Sequence, residues 1–307
     1  MKAPEAWVGA ARRAEQLAAR LPPLLVAAER VAATVAQGVH GRRRVGQGDS
    51  FWQFRPFLAG DAVSRIDWRQ SAKSDRTFVR ETEWEAAQSV WLWRDASAGM
   101  RWRSNARLPE KAERAELLLL ALASLLLRGG ERVALLGLGM RPVAGRGMIE
   151  LLAQAVARRG DAGTLSPLPP AAQLPAHARV VLIGDFLSPL DAVQAAVGRF
   201  AAIPVAGHLL QVLDPAEEAL PFRGRVRFEG LAREGAALIG KVEGIRADYQ
   251  ARLAAHQEGL RAIAAAAGWS FATHRTDHAP EPALMGLYLA LAPDRSRGAG
   301  GVRRTGA

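Results

Sequence analysis

Residues 90–99, Val-Trp-Leu-Trp-Arg-Asp-Ala-Ser-Ala-Gly, are the stretch that decides the fold. Its first four residues form a short apolar run that is typical of a buried strand. An amphipathic helix is predicted over residues 109–128, and Gly129-Gly130 ends it. Residues 132–138 then have the pattern of a second strand. A strand, a helix and another strand in this order predict a parallel βαβ unit.

The same alternation continues along the rest of the chain. Further helices are predicted over 147–158, 191–200, 242–263 and 282–291, and further strands over 180–183, 205–213 and 269–273. Residues 225–228 alternate polar and apolar side chains, which predicts an edge or hairpin strand. Together these elements predict an α/β fold with a doubly wound, mostly parallel sheet that helices cover on both faces.

The segments before and after this core differ from it in composition. A helix is predicted over 24–37, and residues 40–88 are rich in Gly, Trp and Arg. Six of the eight tryptophans lie between Trp52 and Trp102, and their favoured role is to pack a loop onto the core. The chain therefore divides into an N-terminal helical segment (1–39), a signature segment (40–88), an α/β domain (89–293) and a disordered basic tail (294–307).

Composition excludes several classes of protein. The absence of cysteine excludes disulfides, thiolate nucleophiles and Cys-based metal sites. Charged residues scattered through residues 1–30 are inconsistent with a signal peptide. The longest uncharged apolar run, 117–127, has 11 residues, which is well below the ~18 of a membrane span. A soluble cytoplasmic protein is expected.

The net charge of +11 is concentrated in a few places. Residues 40–80 carry 9 basic and 4 acidic side chains, and residues 294–307 carry 4 and 1. Basic segments of this kind are able to bind nucleic acid. However, 37 of the 41 cations are Arg, so a bias of the whole composition is the favoured explanation. Nucleic-acid binding is kept as an alternative.

Acidic residues follow two of the predicted strands. Asp95 comes after the first strand of the domain and Asp185 after the third, and ligands of open α/β sheets gather at such carboxyl ends. Ser97 lies two positions after Asp95, and oxygen atoms in this arrangement suit Mg²⁺ or Mn²⁺. Thr164 is a weaker candidate ligand. The alternative is that Asp95 and Ser97 cap the turn that follows the strand.

The sequence contains no convincing catalytic motif. Residues 235–242 have the Gly-x4-Gly-Lys frame of a phosphate-binding loop, but they lack the Ser or Thr that would hold Mg²⁺, so no nucleotide site is expected. His274 and His278 have no obvious third ligand and are explained as surface histidines. In the signature segment, Asp61 with Arg65 and Asp67 with Arg69 suit ion pairs that fold a loop rather than acid–base catalysis.

One string of residues resembles a known family. It consists of Arg55-Pro56-Phe57, Gly60-Asp61, Arg65-Ile66-Asp67-Trp68-Arg69, Ser71-Ala72, Phe78-Val79-Arg80-Glu81 and Asp95-Ala96-Ser97. This string looks like the signature of the bacterial domain of unknown function 58 (DUF 58) family. The most specific part spans about residues 41–100.

The resemblance implies a core like a von Willebrand factor A domain with a metal-dependent adhesion site at the top of its sheet. Asp95 and Ser97 match the first two ligands of the adhesion motif Asp-x-Ser-x-Ser, Gly99 stands at the third, and Asp185 resembles the strand-end aspartate. The family also implies association with MoxR-type AAA ATPases. The remaining signature residues are expected to serve in interaction or in structure: Arg55, Asp61, Arg65, Asp67, Trp68 and Ser71.

These observations favour a non-enzymatic protein-interaction module that works with a MoxR-type AAA ATPase in protein assembly or maturation. Its top face, around Asp95, Ser97 and Asp185, would bind the partner directly or through Mg²⁺ or Mn²⁺. Two alternatives stay open. One is nucleic-acid binding through residues 40–80 and the tail, and the other is a metal-dependent hydrolase that uses Asp95 and Asp185.

Overall fold

The computed structural model describes residues 23–37, 51–57, 66, 68–73, 77–82, 89–158, 166–231 and 235–291. The predicted helix over 24–37 is confirmed, because residues 23–37 form helix α1. Of the segment 40–88, the described parts are strand β1 (Phe51–Pro56), the short helix α2 (Trp68–Ser71) and strand β2 (Phe78–Thr82), and β1 pairs antiparallel with β2. The tail at 294–307 lies outside the described residues.

The predicted elements of the α/β domain occur in the predicted order. The strands are β3 (Ser89–Arg94), β4 (Arg132–Leu135), β5 (Arg179–Gly184), β6 (Ala206–Leu213), β7 (Val226–Glu229), β8 (Ala236–Ile239) and β9 (Ser270–Arg275). The helices are α3 (Lys111–Arg128), α4 (Ile149–Arg158), α5 (Leu190–Ala201), α6 (Pro215–Ala219), α7 (Arg246–Ala266) and α8 (Pro280–Ala290). To the predicted elements the structure adds the short helix α6 and the strand β8.

Five of these strands form the central sheet, in the order β4-β3-β5-β6-β9. Every pair of neighbours in that order is parallel, which confirms the predicted doubly wound, mostly parallel sheet. An isolated antiparallel bridge joins Val133 to Val143 at the β4 edge. The chain moves outward in one direction from β3 to β4 and in the other from β5 onward, so the order reverses between β3 and β5. Ligands of such sheets bind at this switch point.

Helices cover both faces of the sheet. On one face, α1, α3, α4 and α8 enclose an apolar cluster in which residues 118–123 of α3 are almost completely buried. On the other face, α5 and α7 pack around Trp93, Phe200 and Trp269. Because α3 lies between the sheet and other helices, its apolar run from 117 to 127 is buried on nearly all sides.

Two local features differ from the simplest interpretation of the sequence. The second strand ends at Leu135 instead of 138, and two turn glycines with positive φ follow it, Gly137 and Gly139. Residues 236–239, inside the Gly-x4-Gly-Lys frame, form strand β8, which pairs antiparallel with β7. The middle residues of the frame are therefore extended backbone rather than a loop.

Candidate functional site

The carboxyl ends of β3 and β5 place two acidic residues side by side. Asp95 follows β3 and Asp185 follows β5, and the Asp95 amide donates to the carbonyl oxygen of Ile183 at 2.7 Å. The approach of the two strands is close. A Cβ atom built on Gly184 would lie 3.0 Å from the Cβ of Asp95, so this position has little room for a side chain.

The Asp95 carboxylate is completely buried and only half satisfied. Its Oδ1 accepts from the Ser97 amide at 2.7 Å, whereas its Oδ2 has no hydrogen-bond partner in the part of the chain that the structure describes. Burial raises the pKa of Asp95 to about 6, and the nearby charge of Asp185 adds to this rise. The amide and hydroxyl of Ser97 and the charge of Lys111 oppose it without cancelling it.

A lysine that the sequence analysis overlooked completes the site. Lys111, the first residue of α3, is only 1% exposed, and its Nζ donates to Asp185 Oδ2 at 2.9 Å and to Glu217 Oε1 at 2.5 Å. Burial alone would lower the pKa of Lys111, but the attraction of Asp185 and then of Glu217 outweighs it and raises that pKa. Lys111 is therefore a charged ammonium at neutral pH.

Glu217 is held in place by the N-terminal turn of α6. Its Oε2 accepts from the Asp214 amide at 2.9 Å, and Asp214 Oδ1 in turn accepts from the Ala216 amide at 2.8 Å. Asp214 Oδ2 also accepts from the amide of Ser104, which anchors the loop between β3 and α3. Burial raises the pKa of Glu217 in spite of the lysine beside it. The site thus joins the ends of three neighbouring strands, β3, β5 and β6.

The structure brings Asp95, Ser97 and Asp185 together, as the strand order requires. A Cβ atom on Gly99, the third motif position, would lie 3.5 Å from Asp185 Oδ2 and 3.8 Å from Ser97 Oγ. A serine there would therefore place its hydroxyl in the same cluster. Metal binding by these residues stays a prediction, and Thr164 lies outside the described residues.

The Lys111 ammonium disfavours a divalent cation beside Asp185. A Mg²⁺ ion binds carboxylate oxygen at about 2.1 Å, and the Lys111 ammonium lies 2.9 Å from Asp185 Oδ2. A Mg²⁺ on that oxygen would be within about 5 Å of Nζ, where repulsion amounts to about 7 kcal/mol at an effective dielectric of about 20. Within the described ranges, no group of three or more His, Cys, Asp or Glu side chains is arranged to hold a metal.

The signature residues have separate surroundings. Ser71 Oγ accepts from the Phe78 amide at 2.9 Å, which ties α2 to β2. Trp68 is 66% exposed, so the expected packing of this tryptophan onto the core is wrong. Arg55 lies in β1, opposite Val79 in the strand register. Asp61, Arg65 and Asp67 lie outside the described residues, and so does any ion pair that they form.

The two histidines near the end of the chain have a structural explanation. His274 is buried rather than at the surface, which corrects the expectation, whereas His278 is exposed. Arg114 donates to His274 Nε2 at 3.1 Å, to the carbonyl oxygen of His278 at 2.6 Å and to that of Thr276 at 2.9 Å. Burial lowers the pKa of His274 to about 4, so its ring is neutral and accepts the arginine proton.

Asp95→Asn is expected to stabilise the protein at alkaline pH. Since the folded-state pKa of about 6 lies above the ordinary 3.8, ionising Asp95 in the folded state costs up to about 3 kcal/mol above pH 6. Asparagine avoids this cost, so the variant should gain up to about that amount at pH 8. The gain should fade below pH 6 and be absent near pH 4. Urea unfolding between pH 4 and 8 measures it.

Asp248→Asn, at an exposed position in α7, controls for the loss of one negative charge. A variant at position 95 that is less stable than the wild type at pH 8, by a margin that grows with pH, would contradict the expectation.

Comparison with known proteins identifies the family of this chain. The model for the family described as "Protein of unknown function DUF58" matches residues 53–259, which is more than half of the chain. Uncharacterised proteins of Mycobacterium tuberculosis and Mycobacterium bovis are each 26% identical to this chain over 279 residues. The alignment covers 85% of this chain and 86% of each relative. The names of these relatives state no activity.

Two solved structures align with 66% of the chain. One is the conserved hypothetical protein BatB from Bacteroides thetaiotaomicron, at 14% identity, 96% coverage of that chain and a TM-score of 0.37. The other is an aerotolerance-related membrane protein from Bacteroides fragilis with multiple mutations to serines, at 15% identity, 98% coverage and a TM-score of 0.38. In the described part of the present chain, no helix combines the length and apolarity needed to cross a membrane.

Proposed function

The chain belongs to the DUF58 family, and on that premise we propose that it is a non-enzymatic protein-interaction module that binds its partner at the carboxyl edge of the sheet. The observation that carries the proposal is the surface around the buried cluster of Asp95, Asp185, Lys111 and Glu217. Two loops surround that cluster, and both present side chains typical of binding faces.

The first loop, residues 101–107, connects β3 to α3 and is basic. Arg103 and Arg107 are exposed, and Trp102, which precedes Arg103, is half-buried. The Ser104 amide bonds to Asp214, and the Lys111 amide donates to the carbonyl oxygen of Trp102 at 3.3 Å. Since the loop is fixed at both points, its backbone does not need to be ordered when a partner binds, which lowers the entropic cost of association.

The second loop follows β5 and carries an exposed apolar side chain. Leu187 is 44% exposed, and its amide donates to Asp185 Oδ1 at 3.2 Å, so the loop is attached to the same cluster. Arginine and tryptophan, which the first loop presents, are enriched in interaction hot spots. Leu187 adds exposed apolar surface at the same edge of the sheet. The proposed partner surface is therefore acidic with an apolar centre.

The proposed partner is a MoxR-type AAA ATPase or its client protein, and the proposed setting is protein assembly or maturation in the cytoplasm. The family resemblance supports this partner, and the basic loop supports an acidic contact on it. Burial supports the non-enzymatic part of the proposal. Asp95 is completely enclosed and Lys111 nearly so, which leaves a substrate little access to either group.

The double variant Arg103→Glu/Arg107→Glu is expected to weaken partner binding at least tenfold, because it places two negative charges against an acidic surface. The test is an affinity capture from nuclease-treated native lysate, with retained AAA ATPase quantified by mass spectrometry. Arg132→Glu/Arg252→Glu is the matched control. It makes the same change of charge at exposed positions, one of them at the opposite, amino edge of the sheet.

Equal retention of the ATPase by the wild type and by the variant at 103 and 107 would refute the proposed binding face. If nucleic acid is the only species retained before nuclease treatment, the nucleic-acid alternative replaces the proposal.

A further inference from the structure

We propose that the ammonium of Lys111 takes the place of a divalent cation at the switch point, which makes this edge of the sheet a metal-independent site. The ammonium would have this role in the isolated protein, before any partner binds. This role deepens the proposed function in one respect, since a partner would then bind without added metal.

The ammonium of Lys111 occupies a position that suits a bound cation. Lys111 Nζ lies between carboxylates that come from two different strand ends, Asp185 after β5 and Glu217 after β6. Both contacts are ion pairs at hydrogen-bonding distance, and the lysine is almost completely buried. A buried charge persists only where it is paired. The ammonium thus acts as the positive centre that holds these strand ends together.

One carboxylate oxygen of the cluster does not bond to the ammonium. Asp95 is completely buried, and its Oδ2 has no hydrogen-bond partner among the residues that the structure describes. Three carboxylates, Asp95, Asp185 and Glu217, therefore share one ammonium. A divalent ion would carry one more positive charge and would bind that third carboxylate directly. An Asp95 Oδ2 without a partner among the described residues is therefore what a monovalent ammonium leaves when it occupies the place of a divalent ion.

Two residues at this edge of the sheet, Lys111 and Gly99, differ from the residue types of a metal site. The chain uses Arg for 37 of its 41 cations, and yet a lysine occupies this position. The compact ammonium fits between two carboxylates as a point charge. The planar guanidinium is larger, and its donors match the two oxygens of a single carboxylate. Gly99 lacks the hydroxyl that would reach Asp185, although a Cβ atom there meets no hard contact. The site thus lacks a side-chain oxygen at position 99, and it contains the fixed ammonium of Lys111.

The test restores the metal site in the isolated protein, so its outcome does not depend on any partner. Thermal unfolding is followed during titration with Mg²⁺ and Mn²⁺ for the wild type, Lys111→Ala/Gly99→Ser and the control Lys241→Ala at an exposed lysine. The wild type and the control should show no shift in Tm. The double variant should gain about 3–5 °C at a tenfold excess of metal over its Kd. Adding Asp95→Asn should abolish that gain.

Mn²⁺ binding measured by electron paramagnetic resonance provides the second readout. The wild type is expected to leave Mn²⁺ free, and the double variant to bind about one ion per chain. Binding of one Mn²⁺ by the wild type, lost in Asp95→Asn, would overturn the inference. If the double variant is unfolded without metal, its refolding on addition of about 10 mM Mg²⁺ counts in favour. A double variant that stays unfolded at that concentration, or whose Tm does not rise, counts against the inference.

Discussion

Lys111→Met is expected to destabilise the protein by about 3–5 kcal/mol at pH 7–8, because it removes the cation that pairs with the buried Asp185 and the partly buried Glu217. Methionine has a similar length, so the lost volume is small and the main effect is electrostatic. Asp185 and Glu217 would then remain buried beside Asp95 without a positive charge between them. Urea unfolding monitored by tryptophan fluorescence measures the loss.

The pH dependence of this variant separates the electrostatic explanation from a packing explanation. Burial already raises the pKa of Glu217, and removal of Lys111 should raise it further. The folded variant then binds protons more tightly than the unfolded chain, so its stability should recover as the pH falls toward 5. Lys241→Met, at an exposed position, should stay within about 0.5 kcal/mol of the wild type.

A loss below about 1 kcal/mol in Lys111→Met, or a loss that is the same at pH 5 and pH 8, would contradict this explanation. The first result would mean that the carboxylates find water or another cation. The second would mean that the lysine stem, rather than its charge, stabilises the site.

Gly207→Ala is expected to cost about 3 kcal/mol, because the position has no room for a methyl group. A Cβ atom on Gly207 would lie 2.0 Å from the Trp269 ring, and the ring is not free to move away. Trp269 is buried, its Nε1 donates to the carbonyl oxygen of Val205 at 3.0 Å, and its ring lies 6.3 Å from that of Phe200. Chemical denaturation measures the cost.

Gly198→Ala is the matched control for this substitution. Gly198 lies in helix α5 with no atom within 4 Å of a Cβ, so alanine there should stabilise the protein by about 0.5–1 kcal/mol. If Gly207→Ala is as stable as Gly198→Ala, the close packing of β6 against Trp269 is wrong.

The order of helices and strands could be predicted from the sequence because local signals specify it. Gly129-Gly130 and Pro109 mark the ends of α3, and the apolar runs of β3, β5 and β6 are bounded by polar or proline-containing stretches. The proximity of Asp95 and Asp185 could also be predicted. Parallel strands end at the same edge, so residues directly after two neighbouring strands meet there.

The cation at the site could not be predicted from local patterns. Lys111 and Glu217 are 106 positions apart, and their contact depends on the order of strands in the sheet, which hydrophobic periodicity does not encode. One signal was available in the sequence, since Lys111 is one of four lysines in an arginine-rich chain and begins a helix that is uncharged from residue 117 to 127. The exposure of Trp68 was missed for a related reason, because composition does not say which face of a short helix is covered.

Anomalous diffraction at the manganese edge, from crystals of the wild-type protein grown with about 10 mM Mn²⁺, tests whether the Lys111 ammonium takes the place of a metal. We expect no manganese peak between Asp95 and Asp185, and a Lys111 ammonium in contact with Asp185 and Glu217. A manganese peak at coordination distance from Asp95 and Asp185, with the lysine turned away, would contradict this expectation.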